Sequence, residues 1–197
     1  MRVEMLTKEW PPENYGGAGV HVEHLVAQLR ELVDVRVQCF GNPRPDANAV
    51  QVPDYLSQAN AALQTMGVDL TMVTDTQADV DVVHSHTWYA NLAGHVAGLL
   101  HDIPHVLTAH SLEPLRPWKE EQLGRSYHLT TWVEKAALEG ADRVVAVSEN
   151  SRAEILDLFD VDPERVVVIY NGIDLDVWNP SSSEATRKAF EVAEDYI

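Results

Sequence analysis

"DVVHSHTWYANLAGHVAGLLHDIPHVLTAH", residues 81–110, starts on a short apolar run and ends on a β-branched one. Between them lies a stretch rich in Ala, Leu and Gly. The pattern predicts a strand at Asp81–Ser85, a helix at Tyr89–Leu100 and a strand over "HVLTAH", residues 105–110. Two strands joined through a helix run parallel. Their unbroken hydrophobicity means that helices cover both faces.

The same alternation extends both ways. Val3–Leu6 reads as a first strand. Val22, Leu25, Val26, Leu29 and Leu32 recur at helical spacing, which predicts a helix from about Gly19 to Leu32. "VDVRVQCF", residues 33–40, is the next strand, and "GNPRPD" after it is loop. A short strand is expected at Val50–Val52, then a helix at Ser57–Met66 capped by Ser57. Downstream come a helix over 126–140 stopping at Gly140, the strand "RVVAVS", and a helix at Glu149–Phe159 capped by Ser148. The final strand is "RVVVIY", residues 165–170. The expectation is a doubly wound α/β fold with a mostly parallel, Rossmann-like sheet.

Composition narrows the function. The 197 residues include 31 Asp and Glu against 14 Lys and Arg, a net charge of −17. That excludes a basic nucleic-acid surface, while a small anion can still be held by local backbone dipoles. The one cysteine, Cys39, sits in an apolar run and reads as core. A lone cysteine cannot pair within one chain, which fits a reducing compartment. The N-terminus lacks a signal-peptide pattern and no run is long enough to span a membrane. The chain therefore reads as cytoplasmic, with neither nucleic acid nor membrane as partner.

In a doubly wound sheet, ligands bind beyond the carboxyl ends of the strands. Those positions hold Gly16, Gly17 and Gly19; His84, Ser85 and His86; His110, Ser111 and Glu113; Ser148 and Glu149; and Asn171, Gly172 and Asp174. The glycine loop fails as a dinucleotide fingerprint. Val22 stands where a third Gly or Ala belongs, and no acid ends the second strand. It remains either a turn for chain reversal or a glycine-lined helix N-terminus suited to an anion. His84 and His86 share a strand face, as a metal pair would. His21 and His24 lie i, i+3 on a helix, a spacing that ligates metal but also suits packing. Trp88, Trp118 and Trp178 follow strand ends, where they either stack on sugars or pack loops on the core; core packing is expected for Trp178. Trp132, within a helix, is expected to be core.

"MLTKEWPPENYGGAGVHVEHLVAQL", "DVVHSHTWYAN", "VLTAHSLEPLRPWK", "ADRVVAVSE" and "VIYNGIDLDVWNP" together resemble the N-terminal half of a retaining GT-B glycosyltransferase, most nearly the actinobacterial type of bacterial glycogen synthase. The resemblance implies a cleft between two Rossmann-like lobes. Residues 1–179 would be the acceptor-side lobe. Residues 180–197 would be a linker and the start of a C-terminal nucleotide-sugar domain, so this piece alone would be inactive. It implies glucose transfer from ADP-glucose, or another nucleotide-glucose, to an α-glucan, with no metal and no cofactor beyond the donor. His110 would contact the transferred glucose as the catalytic histidine. Gly16, Gly17, Asn171 and Gly172 would lie against the donor, and His84, His86, Trp88 and Glu113 against acceptor or sugar.

Two positions depart from the pattern: Asn14-Tyr15 replaces a Lys-Thr before the glycines, and Thr87 stands where Asp is common. The same resemblance allows a second activity, synthesis of α-maltose 1-phosphate from ADP-glucose and glucose 1-phosphate. Two rivals come from other classes. One is a metal-dependent hydrolase using His84, His86 and His110, and the other a non-catalytic sugar-binding module.

Overall fold

The computed structural model describes residues 1–176, 178 and 188–191. Seven strands form one sheet, every pair parallel. They are β1 (Arg2–Thr7), β2 (Asp34–Phe40), β3 (Asn48–Val50), β4 (Val82–His86), β5 (His105–Ala109), β6 (Arg143–Ala146) and β7 (Val166–Val168). The order across the sheet is β3-β2-β1-β4-β5-β6-β7. The chain winds outward from β1 to β3, then returns to lay β4 on the other side of β1. That reversal opens a crevice between β1 and β4, where this kind of sheet binds ligands.

Among the described residues, the faces are covered by α1 (Gly17–Leu29), α2 (Ala61–Asp75), α3 (Trp88–His101), α4 (Trp118–Leu123), α5 (Ser126–Gly140) and α6 (Glu149–Leu158). Alternation along β1 shows why the core has two layers. Met5 packs with Val22, Val26, Val37 and Cys39 under α1. Leu6, one residue on, points to the other face and packs with Met72, Ala93 and Ala97 of α2 and α3. Successive strand residues face opposite sides, so both must be apolar. Cys39 is fully buried, as its apolar setting implied.

Several boundaries move. Helix α1 begins at Gly17 and ends at Leu29, because Leu32 points into solvent and stabilises no further turn. Strand β3 pairs through Asn48–Val50, earlier than expected. The cap of α2 is Asn60, which accepts the N–H of Leu63 at 3.0 Å; Ser57 instead ends a short 3-10 turn at Asp54–Leu56. Ser148 caps α6 as expected, accepting from Ser151. Edge strand β7 stops at Val168, and Ile169 and Tyr170 are exposed. Helix α4 and the 3-10 turn at Glu113–Leu115 were not foreseen.

Trp132 is not core. Helix α5 buries Thr130, Val133, Glu134, Ala137 and Leu138, and Trp132 lies off that stripe with 54% of its surface exposed. Trp178 is likewise exposed rather than packed on the core. The expected linker and start of a second domain fall within 180–197, of which only 188–191 are described. Among the described residues, no helix is long and apolar enough to cross a membrane.

Candidate active site

The register of β4 against β5 builds the site. His84 pairs with Val106, and His86 with Thr108. Residues two apart on a strand share a face, so His84 and His86 stand together, ring centroids 4.4 Å apart. His110 lies two residues beyond Thr108, on the same face and just past the end of β5. Its Nε2 comes within 3.1 Å of His86 Nδ1. Met5 of β1 pairs with His84, so this is the face that α1 covers. His21, one turn into α1, completes the group, its ring 4.8 Å from that of His110 and 5.6 Å from that of His86.

These four imidazoles are held neutral. Burial drives His84 down to about 3 and His110 to about 4, and pushes His86 well below its ordinary value; the neighbouring histidines add to each effect. His21 is lowered by burial too. A neutral ring offers one donor and one acceptor, which suits hydroxyl groups better than ions. His84 is already engaged, sharing a 2.8 Å hydrogen bond with Thr108 Oγ1. His86 is fully buried, and its Nε2 meets no partner among the described residues.

The β4–α3 turn is strained. Thr87 has φ 64° and ψ 159°, a backbone region that belongs to glycine. His86 Nε2, Thr87 Oγ1 and Trp88 Nε1, from three consecutive residues, are all buried without a hydrogen-bond partner. Buried polar atoms are rarely left so. Trp88 itself is buried as the first residue of α3, so its ring face is not open for stacking.

The glycine turn holds an anion, but an internal one. The Glu9 carboxylate accepts the N–H of Tyr15 at 3.0 Å and of Gly16 at 2.7 Å, at the N-terminus of α1. Gly16 therefore does not offer its N–H to a ligand here. A Cβ on Gly19 would meet Glu9 at 2.6 Å, so Gly19 is needed for this crossing. Gly17 differs: a Cβ there would meet nothing within 4 Å. The fold does not need glycine at Gly17, and the space beside it is open.

Other candidates scatter. Glu113 does not face the rim. It is fully buried, with Oε1 receiving Lys119 Nζ at 2.5 Å and Oε2 receiving Thr130 Oγ1 at 3.2 Å. It belongs to the packing of α4 against α5, with Glu134 accepting its backbone N–H at 2.7 Å. Asn171 and Gly172 leave the same rim from edge strand β7, three strand steps from β4, or roughly 14 Å at usual strand spacing. Both are exposed, and a Cβ on Gly172 would meet nothing within 4 Å. A cavity of about 250 Å³ opens beside His110, with Ser111, Arg116, Trp118, Ser151 and Glu154 on its walls. A larger one of about 740 Å³ lies under the β2–β3 edge among Glu4, Arg36 and Asp75, away from every histidine.

Two residues gained importance only from the structure. His21 had been legible as half of an i, i+3 pair, but its partner His24 is exposed and apart from the cluster. The better signal was its place four residues after Gly17, on the same face of α1. Lys8, just past β1, lies over the Tyr89 ring at 3.8 Å and forms no ion pair among the described residues.

Comparison with known proteins places the chain in a family. Residues 15–177 match the profile of Glycosyltransferase Family 4. The chain is 57% identical over 182 residues to an alpha-maltose-1-phosphate synthase of Mycolicibacterium smegmatis, covering 92% of this chain and 47% of that protein. It is 28% identical over 208 residues to a glycogen synthase of Mycobacterium tuberculosis, covering 90% of this chain and 50% of the relative. The chain thus spans about half the length of the curated relatives it matches. Among solved structures it superposes on sucrose-phosphate synthase from Thermosynechococcus elongatus with TM-score 0.73 at 16% identity, over 98% of this chain and 53% of that one. It also superposes on Anabaena HepE in complex with UDP-glucose, with TM-score 0.70 at 18% identity, over 100% of this chain and 51% of the other.

Proposed function

The chain belongs to Glycosyltransferase Family 4, and from that membership we propose that it is the acceptor-side lobe of a retaining glucosyltransferase that makes α-maltose 1-phosphate. The donor is ADP-glucose or another nucleotide-glucose, and the acceptor is glucose 1-phosphate. The 57% identity to an alpha-maltose-1-phosphate synthase, against 28% to a glycogen synthase, supports this over the extension of an α-glucan.

The observation that carries the reading is the group of neutral imidazoles at the carboxyl rim of the sheet, with His110 on the wall of a cavity of about 250 Å³. A neutral ring there offers one donor and one acceptor to a ligand rich in hydroxyls. Breaking a sugar–phosphate bond develops positive charge on the sugar and negative charge on the leaving group. Neutral His110 orients a hydroxyl of the transferred glucose without adding a cation beside the positive sugar. The remaining N–H groups at the N-terminus of α1 favour the leaving diphosphate. Cations that neutralise that diphosphate come, by the resemblance, from a second lobe. Lys8, without an ion pair among the described residues and 5.5 Å from the ring of Tyr15 that leads into the glycine turn, suits the phosphate of the acceptor.

The test is full-length protein given nucleotide-glucose and glucose 1-phosphate, with products followed by phosphorus NMR. A new disaccharide phosphate together with free nucleoside diphosphate is expected. Growth of added glycogen without that product would favour the glucan reading. Absence of any transfer would remove both.

A further inference from the structure

Three imidazoles reach one point from three separate stretches of chain: His21 from α1, His86 from the end of β4, and His110 from just beyond β5. One ring nitrogen of each lies within 4.8 Å of the others. His86 Nδ1 and His110 Nε2 are 3.1 Å apart. Two nitrogens on one tetrahedral zinc, each about 2.0–2.1 Å from the metal, stand about 3.4 Å from one another. The His86–His110 nitrogens are thus close to the separation of two ligands on one ion, although they face each other head-on, centroids 5.4 Å apart, so ligation turns both rings toward a common point and draws in His21 from within 4.8 Å. Among the described residues, none of the three is tied to a side chain outside the group by a bond that ligation would break. His86 is linked only to His110, and its other nitrogen is buried without a partner.

We propose that His21, His86 and His110 bind one divalent transition cation of the zinc class, and that the bound cation inhibits the enzyme. All three donors are imidazole nitrogens, a set that selects zinc, cobalt, nickel or copper over magnesium or calcium. Three protein ligands leave a fourth position for water. The net charge of −17 raises the local concentration of cations. Inhibition rests on the sugar-binding role given to His110 above: a metal on Nε2 removes that nitrogen from any hydroxyl. The cation is a competitor for the site and takes no part in transfer. The same three residues also revise the sequence-based hydrolase triad, since His84 is occupied by Thr108 and His21 takes its place.

Cobalt reports this directly. Metal-free protein titrated with Co²⁺ is expected to develop the absorption bands of a tetrahedral site, saturating at one ion per chain and bleached by Zn²⁺. His21→Gln is expected to weaken binding at least tenfold. His24→Gln, on the exposed side of the same helix, is expected to leave it unchanged. No stoichiometric binding, or equal binding by His21→Gln, overturns the site. In full-length enzyme, Zn²⁺ is expected to cut turnover at least tenfold with recovery on chelation, and Mg²⁺ to have no such effect. Stoichiometric zinc with unchanged turnover overturns the inhibitory role. Because the absorbance needs no turnover, a failure of the transferase reading is seen separately.

Discussion

Glu9 reaches across the start of α1 and accepts the N–H of Gly16 at 2.7 Å. The second bond, from Tyr15 at 3.0 Å, reaches the same oxygen, so Glu9 Oε2 accepts two successive backbone N–H groups at a positive helix end. Glu9→Ala is therefore expected to destabilise the chain by about 1–2 kcal/mol, the usual loss for a helix-capping acceptor. Glu9→Gln, which keeps an oxygen, should lose less. Urea unfolding of the two variants checks the order; equal stability of all three proteins would mean that the cap contributes nothing.

Gly17 separates fold from function. A Cβ at this helical position meets nothing within 4 Å. Gly17→Ala should stabilise α1 by about 0.5–1 kcal/mol through reduced backbone entropy in the unfolded chain. It should also cut turnover of the full-length enzyme by more than tenfold, because the methyl enters the space left for ligand. A melting temperature measured beside the rate shows whether the two move in opposite directions.

Thr87 sits at φ 64° with a buried, unpartnered hydroxyl. Such strain costs of order 1–3 kcal/mol. Thr87→Gly should raise the urea midpoint and lower transfer, since the hydroxyl is lost with the strain. If stability falls instead, the conformation is not strained in the folded chain.

Lys8 forms a cation–π contact with Tyr89 and no ion pair among the described residues. In full-length enzyme, Lys8→Gln should raise KM for glucose 1-phosphate about tenfold or more and change KM for nucleotide-glucose little. An unchanged acceptor KM would take the phosphate away from this lysine.

Stability should fall at both ends of the pH scale, for separate reasons. Burial lowers His105 to about 3. Below about 6.5 the unfolded chain takes up this proton and the folded chain does not, so stability drops by about 1.4 kcal/mol per pH unit from this group until pH nears 3. Burial raises Glu134 to about 8, against the pull of the Glu113 N–H. Its stability contribution is complete below about 4.5 and is lost as pH rises toward 8, because only the unfolded chain releases the proton. Glu134→Gln should thus gain stability over the native chain at pH 8 and not at pH 4. Denaturant midpoints at the two pH values read this out.

Much of the fold was legible because its signals are local. The unbroken apolar runs gave β1, β2, β4, β5 and β6 to within a few residues, and Ser148 and Gly140 marked real helix ends. Short polar-rich segments were harder: α4 and the turn at Glu113–Leu115 carry no clean period, and edge strand β7 ends where nothing further pairs with it. The site was half legible. The sequence placed His84, His86 and His110 at one rim, and the structure groups them there, His84 and His86 within β4 and His110 just past β5, whereas Glu113 from the same rim turns inward to Lys119.

By itself the sequence determined the alternation of strands and helices, the two-faced burial of the strands, and the rim on which the histidines lie, since each follows from spacing within about ten residues. Tertiary structure alone decided that β4 lies between β1 and β5, that His21 joins His86 and His110, and that Glu9 takes the N–H of Gly16. Strand order and register are set by packing between segments distant in the chain, and the pairing energies that select them leave no local pattern to read.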